Sequence, residues 1–180
     1  MSGCTDRIFF RHAVPADASA AWSVLESAKR RMKAQRRTQW QGAYPSEESV
    51  RKDINEGYGY VLEMLPGNDC VGGHGIAAYG AVVFDGEPAY SRIEGRWLSD
   101  GPYVVVHRLA VAEDCLGHGF AELFLNRTAE LAFSRGIRSF KVDTNYDNVQ
   151  MLHVLGKLGF VRCGTVMYES PRLAFEKILE

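Results

Sequence analysis

A long apolar run is the first thing this chain lacks. No stretch approaches the ~20 residues that a membrane-spanning helix needs, and Met1-Ser2-Gly3-Cys4-Thr5-Asp6-Arg7 has no apolar core of the kind a secretory signal carries. Charge of one sign is lacking too. The 21 basic residues stand against 22 acidic ones, a net charge of -1, so no overall field draws the chain to nucleic acid or to an anionic membrane. Cysteine is sparse and unpaired in spacing: Cys4, Cys70, Cys115 and Cys163 form no CxxC, which argues against both a zinc site and a disulfide framework. The five histidines form no HxxxH or HExxH pair. The expectation is a cytoplasmic, reduced, metal-free protein with neither nucleic acid nor membrane as partner.

What is present suits a soluble α/β domain. The 180 residues, 46% hydrophobic and 24% charged, are enough to bury a core without staples, and residues 1–180 read as a single domain with no repeat or linker. Ile8 to Arg11 reads as a strand. Pro15 starts a helix with Trp22, Leu25, Ala28 and Met32 on one stripe. The basic run from Lys29 to Arg37 reads as the solvated face of that helix. Ser46 is placed to cap a charged helix from Glu47 to Glu56. Strands are expected at Tyr58 to Leu65 and Ile76 to Phe84, with a turn at Pro66-Gly67-Asn68-Asp69 and a glycine-rich entry from Gly72. Gly86 to Pro102 is a long irregular connection, and loops of that length tend to be functional.

The most informative stretch runs from Tyr103 to Phe124. An apolar strand ends at Val111, and Gly117-His118-Gly119-Phe120-Ala121 opens a segment of helical period with Phe120, Leu123, Phe124 and Leu131 on its buried stripe. A strand passing through glycines into a helix N-terminus is a device for holding phosphate. The unpaired N–H groups of the first turn converge on the anion, the helix dipole favours it, and glycine leaves room for close approach. A strand from Ser139 to Asp143, a helix from Asn148 to Leu158 ended by Gly159, and strands at Phe160 to Cys163 and Tyr168 to Ile178 complete the chain.

Two of these segments carry a resemblance. Leu116-Gly117-His118-Gly119-Phe120-Ala121 lies over the (R/Q)-x-x-G-x-(G/A) signature of the GNAT superfamily of acyl-CoA N-acyltransferases. Asn148 to Phe160 lies over its later N…K-x-G-F element, with Asn148, Lys157, Gly159 and Phe160 matching. The chain thus resembles a bacterial branch of that superfamily. The resemblance implies a GNAT fold: one domain with a central mixed, mostly antiparallel, twisted sheet, flanked by helices and splayed at an acetyl-CoA site. It implies acetyl transfer from acetyl-CoA, as co-substrate, to a primary amine of a small molecule or an amino terminus, by direct attack through a tetrahedral intermediate. Leu109, Ala110 and Val111 would pair with the pantetheine arm, a backbone N–H near Leu109 would meet the thioester oxygen, and Asn148 would contact the arm, although helix capping alone also accounts for Asn148.

Several members of the superfamily carry a glutamate relay at the position of His107, and period-two alternation places His107 on one face with Leu109 and Val111. An amine of pKa ~10.4 is only ~0.1% unprotonated at neutral pH, so a base helps, and imidazole is suited to that work. A core histidine bonded to a backbone carbonyl is the other role open to His107. Two departures stand out. Leu116 replaces the side-chain donor of the phosphate loop, and Leu155 replaces the frequent general-acid tyrosine. Tyr146 is the candidate acid, with Tyr168 and Cys163 behind it, and a turn or packing role is open to each of the three. The 86–102 loop carries Glu87, Tyr90, Glu94, Trp97 and Asp100; its aromatics and Trp40 and Tyr44, with Glu94 and Asp100, could hold a cationic amine or simply pack the loop. His118 is expected to face solvent at the helix start, and His12, His74 and His153 to be surface or packing residues. Leu116 and Leu155 also admit a non-catalytic acyl-CoA-binding sensor or regulatory module. A nicotinamide-dependent oxidoreductase fits poorly, because no first βαβ unit precedes the glycines. Terminal strands left at an edge would favour a homodimer.

Overall fold

The computed structural model describes residues 7–66 and 75–180. Cys4, Cys70, His74, most of the turn after Pro66 and the glycine-rich entry lie outside the described residues. Eight strands form one mixed sheet: β1 (Ile8–His12), β2 (Gly59–Met64), β3 (Gly75–Val83), β4 (Glu94–Gly95), β5 (Tyr103–Val111), β6 (Ser139–Thr144), β7 (Val161–Met167) and β8 (Pro171–Ile178), in the order β1-β2-β3-β5-β6-β8-β7-β4. Four helices accompany it: α1 (Ala18–Ala34), α2 (Glu47–Asn55), α3 (Phe120–Ser134) and α4 (Val149–Lys157). This is the α/β fold expected from the sequence. The chain forms two compact units, residues 1–81 with 108–124, and residues 82–107 with 125–180.

In the first unit, β1 and β2 pair antiparallel, as do β2 and β3. β2 is buried almost continuously rather than alternately, the pattern of a strand covered on both faces. Val14 to Asp17 lead into α1, with the Asp17 carboxylate accepting from the Val14 N–H at 2.8 Å and from Arg11. The buried stripe of α1 is Ala18, Ala21, Val24, Leu25 and Ala28, which includes the expected Leu25 and Ala28; Trp22 is only partly buried against the same core, and Met32 is half-buried. Small residues on the inward face let α1 pack closely, and the bulky Trp22 is displaced to the margin. Ser46 caps α2 as expected, its Oγ accepting from the Ser49 N–H at 3.3 Å. The basic run is less solvated than its charge suggests. Lys29 donates to the carbonyls of Gly42 and Pro45 at 3.1 and 2.7 Å, and Arg31 donates to Glu113.

In the second unit, β6 and β8 pair antiparallel, β7 and β8 form a hairpin, and β5 runs parallel to β6 through three pairs, Tyr103 to Val105 against Ser139 to Lys141. The expected irregular stretch from Gly86 to Pro102 is partly ordered. It holds a 3-10 turn at Pro88–Arg92 and the short β4, which pairs with Gly164 and Thr165 of β7. The last strand is not an edge: β8 is paired on both sides, by β6 and β7. The buried positions along α3 are Phe120, Phe124, Leu125, Thr128 and Ala132, whereas Leu123 and Leu131 are only half-buried.

Candidate functional site

The glycine loop expected to hold phosphate lies in the first unit. β5 ends at Val111, a 3-10 turn spans Glu113–Cys115, and α3 begins at Phe120. The Ala112 N–H donates to the Ala77 carbonyl at 2.8 Å, and the Cys115 N–H donates to Ala112 at 3.0 Å. Arg31 clamps the turn from α1, donating to Glu113 at 2.5 Å and to the Val111 carbonyl at 3.4 Å, while the Ser27 hydroxyl donates to Glu113 at 3.0 Å. Cys115 and Phe120 are buried at the two ends of the loop, and Leu116 and His118 face outward. Burial first, then the neighbouring Asp114, pushes the Cys115 thiol up to about 12, so this cysteine anchors and does not react.

Gly117 and Gly119 have φ of 77° and 79°, the left-handed region that side chains avoid. A Cβ at either position would meet no atom within 4 Å. The glycines are therefore not needed to let protein pack against protein; the room over them is free for a ligand. The N–H groups of Gly119, Phe120 and Ala121 start a 15-residue helix, where first-turn donors have no partner within the helix. The loop thus fits a phosphate-bearing group, with backbone donors in place of the side chain that Leu116 lacks.

Upstream on β5, Arg108 has φ 55°, a left-handed residue in the middle of a strand. His107, Leu109 and Val111, expected on one face, are all half-buried, with this left-handed residue between the first two. Leu109 and Val111 are half-buried and Ala110 is buried.

His107 belongs to the second unit and sits in a polar cluster. Its Nε2 lies 3.1 Å from Glu87 Oε2, both side chains largely buried. The other oxygen of Glu87 accepts from the Ala89 N–H at 3.1 Å, and the Glu87 N–H donates to the Tyr103 hydroxyl at 2.8 Å. The bond from His107 holds the Glu87 carboxyl below the usual range, against the opposing effect of burial and with help from the Ala89 N–H. An ionised Glu87 only accepts, so His107 donates to it through Nε2. Asp143 gathers three donors: the Tyr90 hydroxyl at 2.7 Å, the Tyr168 hydroxyl at 3.3 Å and Arg172 at 3.2 Å. Burial, then the charges of Asp143 and Glu87, raises the Tyr168 phenol.

The remaining candidates fall out differently. Tyr146 is 68% exposed. Asn148 caps α4, its Oδ1 accepting from the Met151 N–H at 3.3 Å. Leu155 is fully buried, so its position serves the core. Cys163 is half-buried, its thiol raised by burial and then by Glu176. Tyr90 and Trp97 pack into the core with Val105, Val166 and Ala174, and the Trp97 indole donates to the Tyr90 carbonyl at 2.9 Å. For these two the packing role is the one observed. Glu94 and Asp100 are exposed, and Tyr44 is half-exposed beside Arg108. His12 and His153 are exposed, His12 also bonding the Tyr60 hydroxyl at 2.7 Å, and His118 faces solvent as expected. Among the described residues no cluster of His, Cys, Asp and Glu could hold a metal ion, and no helix is long and apolar enough to cross a membrane. The pairing of Glu87 with His107, and of Asp143 with Tyr90, Tyr168 and Arg172, had no signal in the sequence, since the partners lie 20 to 53 residues apart.

A glycine loop carries strand β5 into a helix N-terminus, within a sheet whose two central strands run parallel for three pairs. The chain belongs to the acetyltransferase (GNAT) family, whose model matches residues 24–160. It is similar to a crystallised GNAT acetyltransferase from Streptococcus agalactiae, with 32% identity, 96% of each chain covered and a TM-score of 0.84. A GNAT acetyltransferase of Listeria monocytogenes shares the fold at 15% identity, covering 96% of this chain and 95% of that one, TM-score 0.74. So does a Salmonella typhimurium protein crystallised with its cofactor acetyl-CoA, at 15% identity, 97% and 95% coverage and a TM-score of 0.62. No curated protein sequence matches the chain. The protein is an acetyltransferase, and the donor its family uses is acetyl-CoA.

Proposed function

We propose that this protein transfers the acetyl group of acetyl-CoA to a primary amine, either of a small molecule or of a polypeptide amino terminus, with His107 as general base. The observation that carries the reading is the 3.1 Å bond between His107 and Glu87. A carboxylate fixed by the Ala89 N–H holds the imidazole in one tautomer and stabilises its protonated form, the logic of any base oriented by a third group. Bound acetyl-CoA supplies the electrophilic thioester carbonyl. The backbone N–H groups of Gly117 to Ala121 hold the pyrophosphate, Leu109 to Val111 hold the pantetheine arm by backbone pairing, and Asn148 lies along it. The Leu109 N–H meets the carbonyl oxygen as charge develops there. His107 Nδ1 takes the proton that the amine nitrogen loses when it bonds to the carbonyl carbon, and Tyr146 returns a proton to the sulfur as the C–S bond breaks. Tyr168 is poorly suited to that last step, because its phenol is raised and already donates to Asp143. The carboxylates of Glu87 and Asp143 favour a cationic acceptor.

The buried Leu155 and the donor-free Leu116 favour a second reading, a module that binds acetyl-CoA without turning it over. Substituting His107→Ala separates the two. With an amine panel and thiol detection, the expected result is loss of turnover by about 10²–10⁴-fold while calorimetric binding of acetyl-CoA persists. Acetyl-CoA binding by the wild-type protein with no thiol release from any amine would establish the sensor instead.

A further inference from the structure

Arg108 is out of place twice. It is a bulky residue in the left-handed region, φ 55°, within a strand, and it is a charged residue whose side chain is only 15% exposed. Side chains resist the left-handed region because the Cβ approaches the following carbonyl, so such a residue persists only where its surroundings over-determine it. The surroundings here are specific. The Arg108 guanidinium forks onto Asp53, Nε to Oδ2 at 2.8 Å and Nη2 to Oδ1 at 2.5 Å, and its Nη1 donates to the Tyr44 hydroxyl. Asp53 is itself buried in the last turn of α2 and accepts from the hydroxyl of the fully buried Tyr79 at 2.7 Å. Replacing a buried ion pair by apolar groups is often neutral or stabilising, so stability alone is a weak reason for this one.

We propose that Asp53 and Arg108 are positioning residues: their ion pair ties α2 to β5, holds the left-handed backbone at Arg108, and thereby aims the backbone N–H of Leu109 at the thioester oxygen. The proposal rests on the Leu109 role given above. A left-handed residue rotates the next peptide out of the ladder, and the bidentate fork fixes that rotation more tightly than a single bond would. Neither residue touches a reacting atom; both act through the peptide between Arg108 and Leu109.

The test reads that hydrogen bond directly. Acetyl-CoA labelled with ¹³C at the thioester carbonyl is bound to the protein, and the carbonyl stretch is recorded by isotope-edited infrared difference spectroscopy. Wild-type protein is expected to lower the frequency relative to free acetyl-CoA. The variant Asp53→Asn, which keeps an acceptor for Tyr79, is expected to lose that shift while calorimetric affinity is retained. The double variant Asp53→Asn/Arg108→Gly is expected to regain it, because glycine adopts the left-handed conformation unaided. A folded Asp53→Asn protein with the wild-type shift overturns the positioning role, as does a folded double variant that stays unshifted. Wild-type protein that binds acetyl-CoA without any shift overturns the Leu109 assignment, and the proposal with it. If Asp53→Asn does not fold, Arg108→Gly against Arg108→Ala makes the same comparison: the glycine variant keeps the shift and the alanine variant loses it, and equal spectra overturn the proposal.

Discussion

Glu87 holds its carboxylate charge more tightly than a free glutamate because His107 donates to it, and that bond works in both directions. The carboxylate that gains acidity from His107 also orients the imidazole. Glu87→Gln keeps the shape and removes the charge, so kcat is expected to fall by about tenfold or more with the KM for acetyl-CoA unchanged; an unaltered kcat would mean that Glu87 serves only the 3-10 turn it caps. His107 was visible as a candidate in the sequence because it stands on the strand of Leu109 and Val111, at a position where the resemblance implies a proton relay. Glu87 was visible only as one polar residue of a long loop. Its pairing depends on the 3-10 turn at Pro88–Arg92 and on the Tyr103 hydroxyl that receives its N–H, and neither follows from local propensity. Arg108 carried no signal at all, since a left-handed arginine in a strand contradicts local preference and its partner Asp53 lies 55 residues away.

At the scale of elements, the loop between β5 and α3 was the most legible part of the chain. Gly117 and Gly119 are needed for their backbone conformation, and that need is local, so it is written in the residues themselves. Gly119→Ala is expected to cost about 1 kcal/mol of stability and to weaken acetyl-CoA binding, because the new Cβ enters the space over the loop. Urea unfolding and calorimetry would measure the two effects. An affinity equal to wild type would mean that the pyrophosphate lies elsewhere. Helix α4 shows the same legibility, with Asn148 capping it and Leu155 directed inward as its period requires. On α1, Leu25 and Ala28 are buried as read, whereas Trp22 and Met32 are only half-buried and the alanines make the close contact. The region from Gly86 to Pro102 was misread for a different reason. Its two-residue strand exists only through pairing with β7, which lies about 70 residues further along the chain.

For the whole molecule, the buried phenols decide how stability responds to alkali. Tyr79, Tyr90 and Tyr168 are all raised, each by burial first and then by a neighbouring carboxylate, and Cys115 is pushed up to about 12. An unfolded chain releases these protons at the ordinary values, about 8.5 for a thiol and about 10 for a phenol. Between those values and the raised ones the unfolded state binds fewer protons than the folded state, so stability falls as pH rises. Urea melts are expected to be steady through pH 8 and to weaken steeply above about pH 10, and a Tyr79→Phe variant should lose part of that slope. On the acid side the sign reverses: Asp17 and Glu87 are lowered, by Arg11 and His107 respectively, and their contribution is lost as pH falls below about 4.

The sequence by itself determined the α/β class and the succession of most strands and helices, because these rest on periodicity, glycine conformation or capping within a dozen residues, while the family was legible through the resemblance of Leu116 to Ala121 and Asn148 to Phe160 to known motifs. Tertiary structure alone decided which polar groups meet: Glu87 with His107, Asp143 with Tyr90, Tyr168 and Arg172, and Asp53 with Arg108. Those contacts join residues far apart in the chain. Their cost is the burial of charge and their return is a partner at hydrogen-bond distance, a balance that no local stretch of sequence contains.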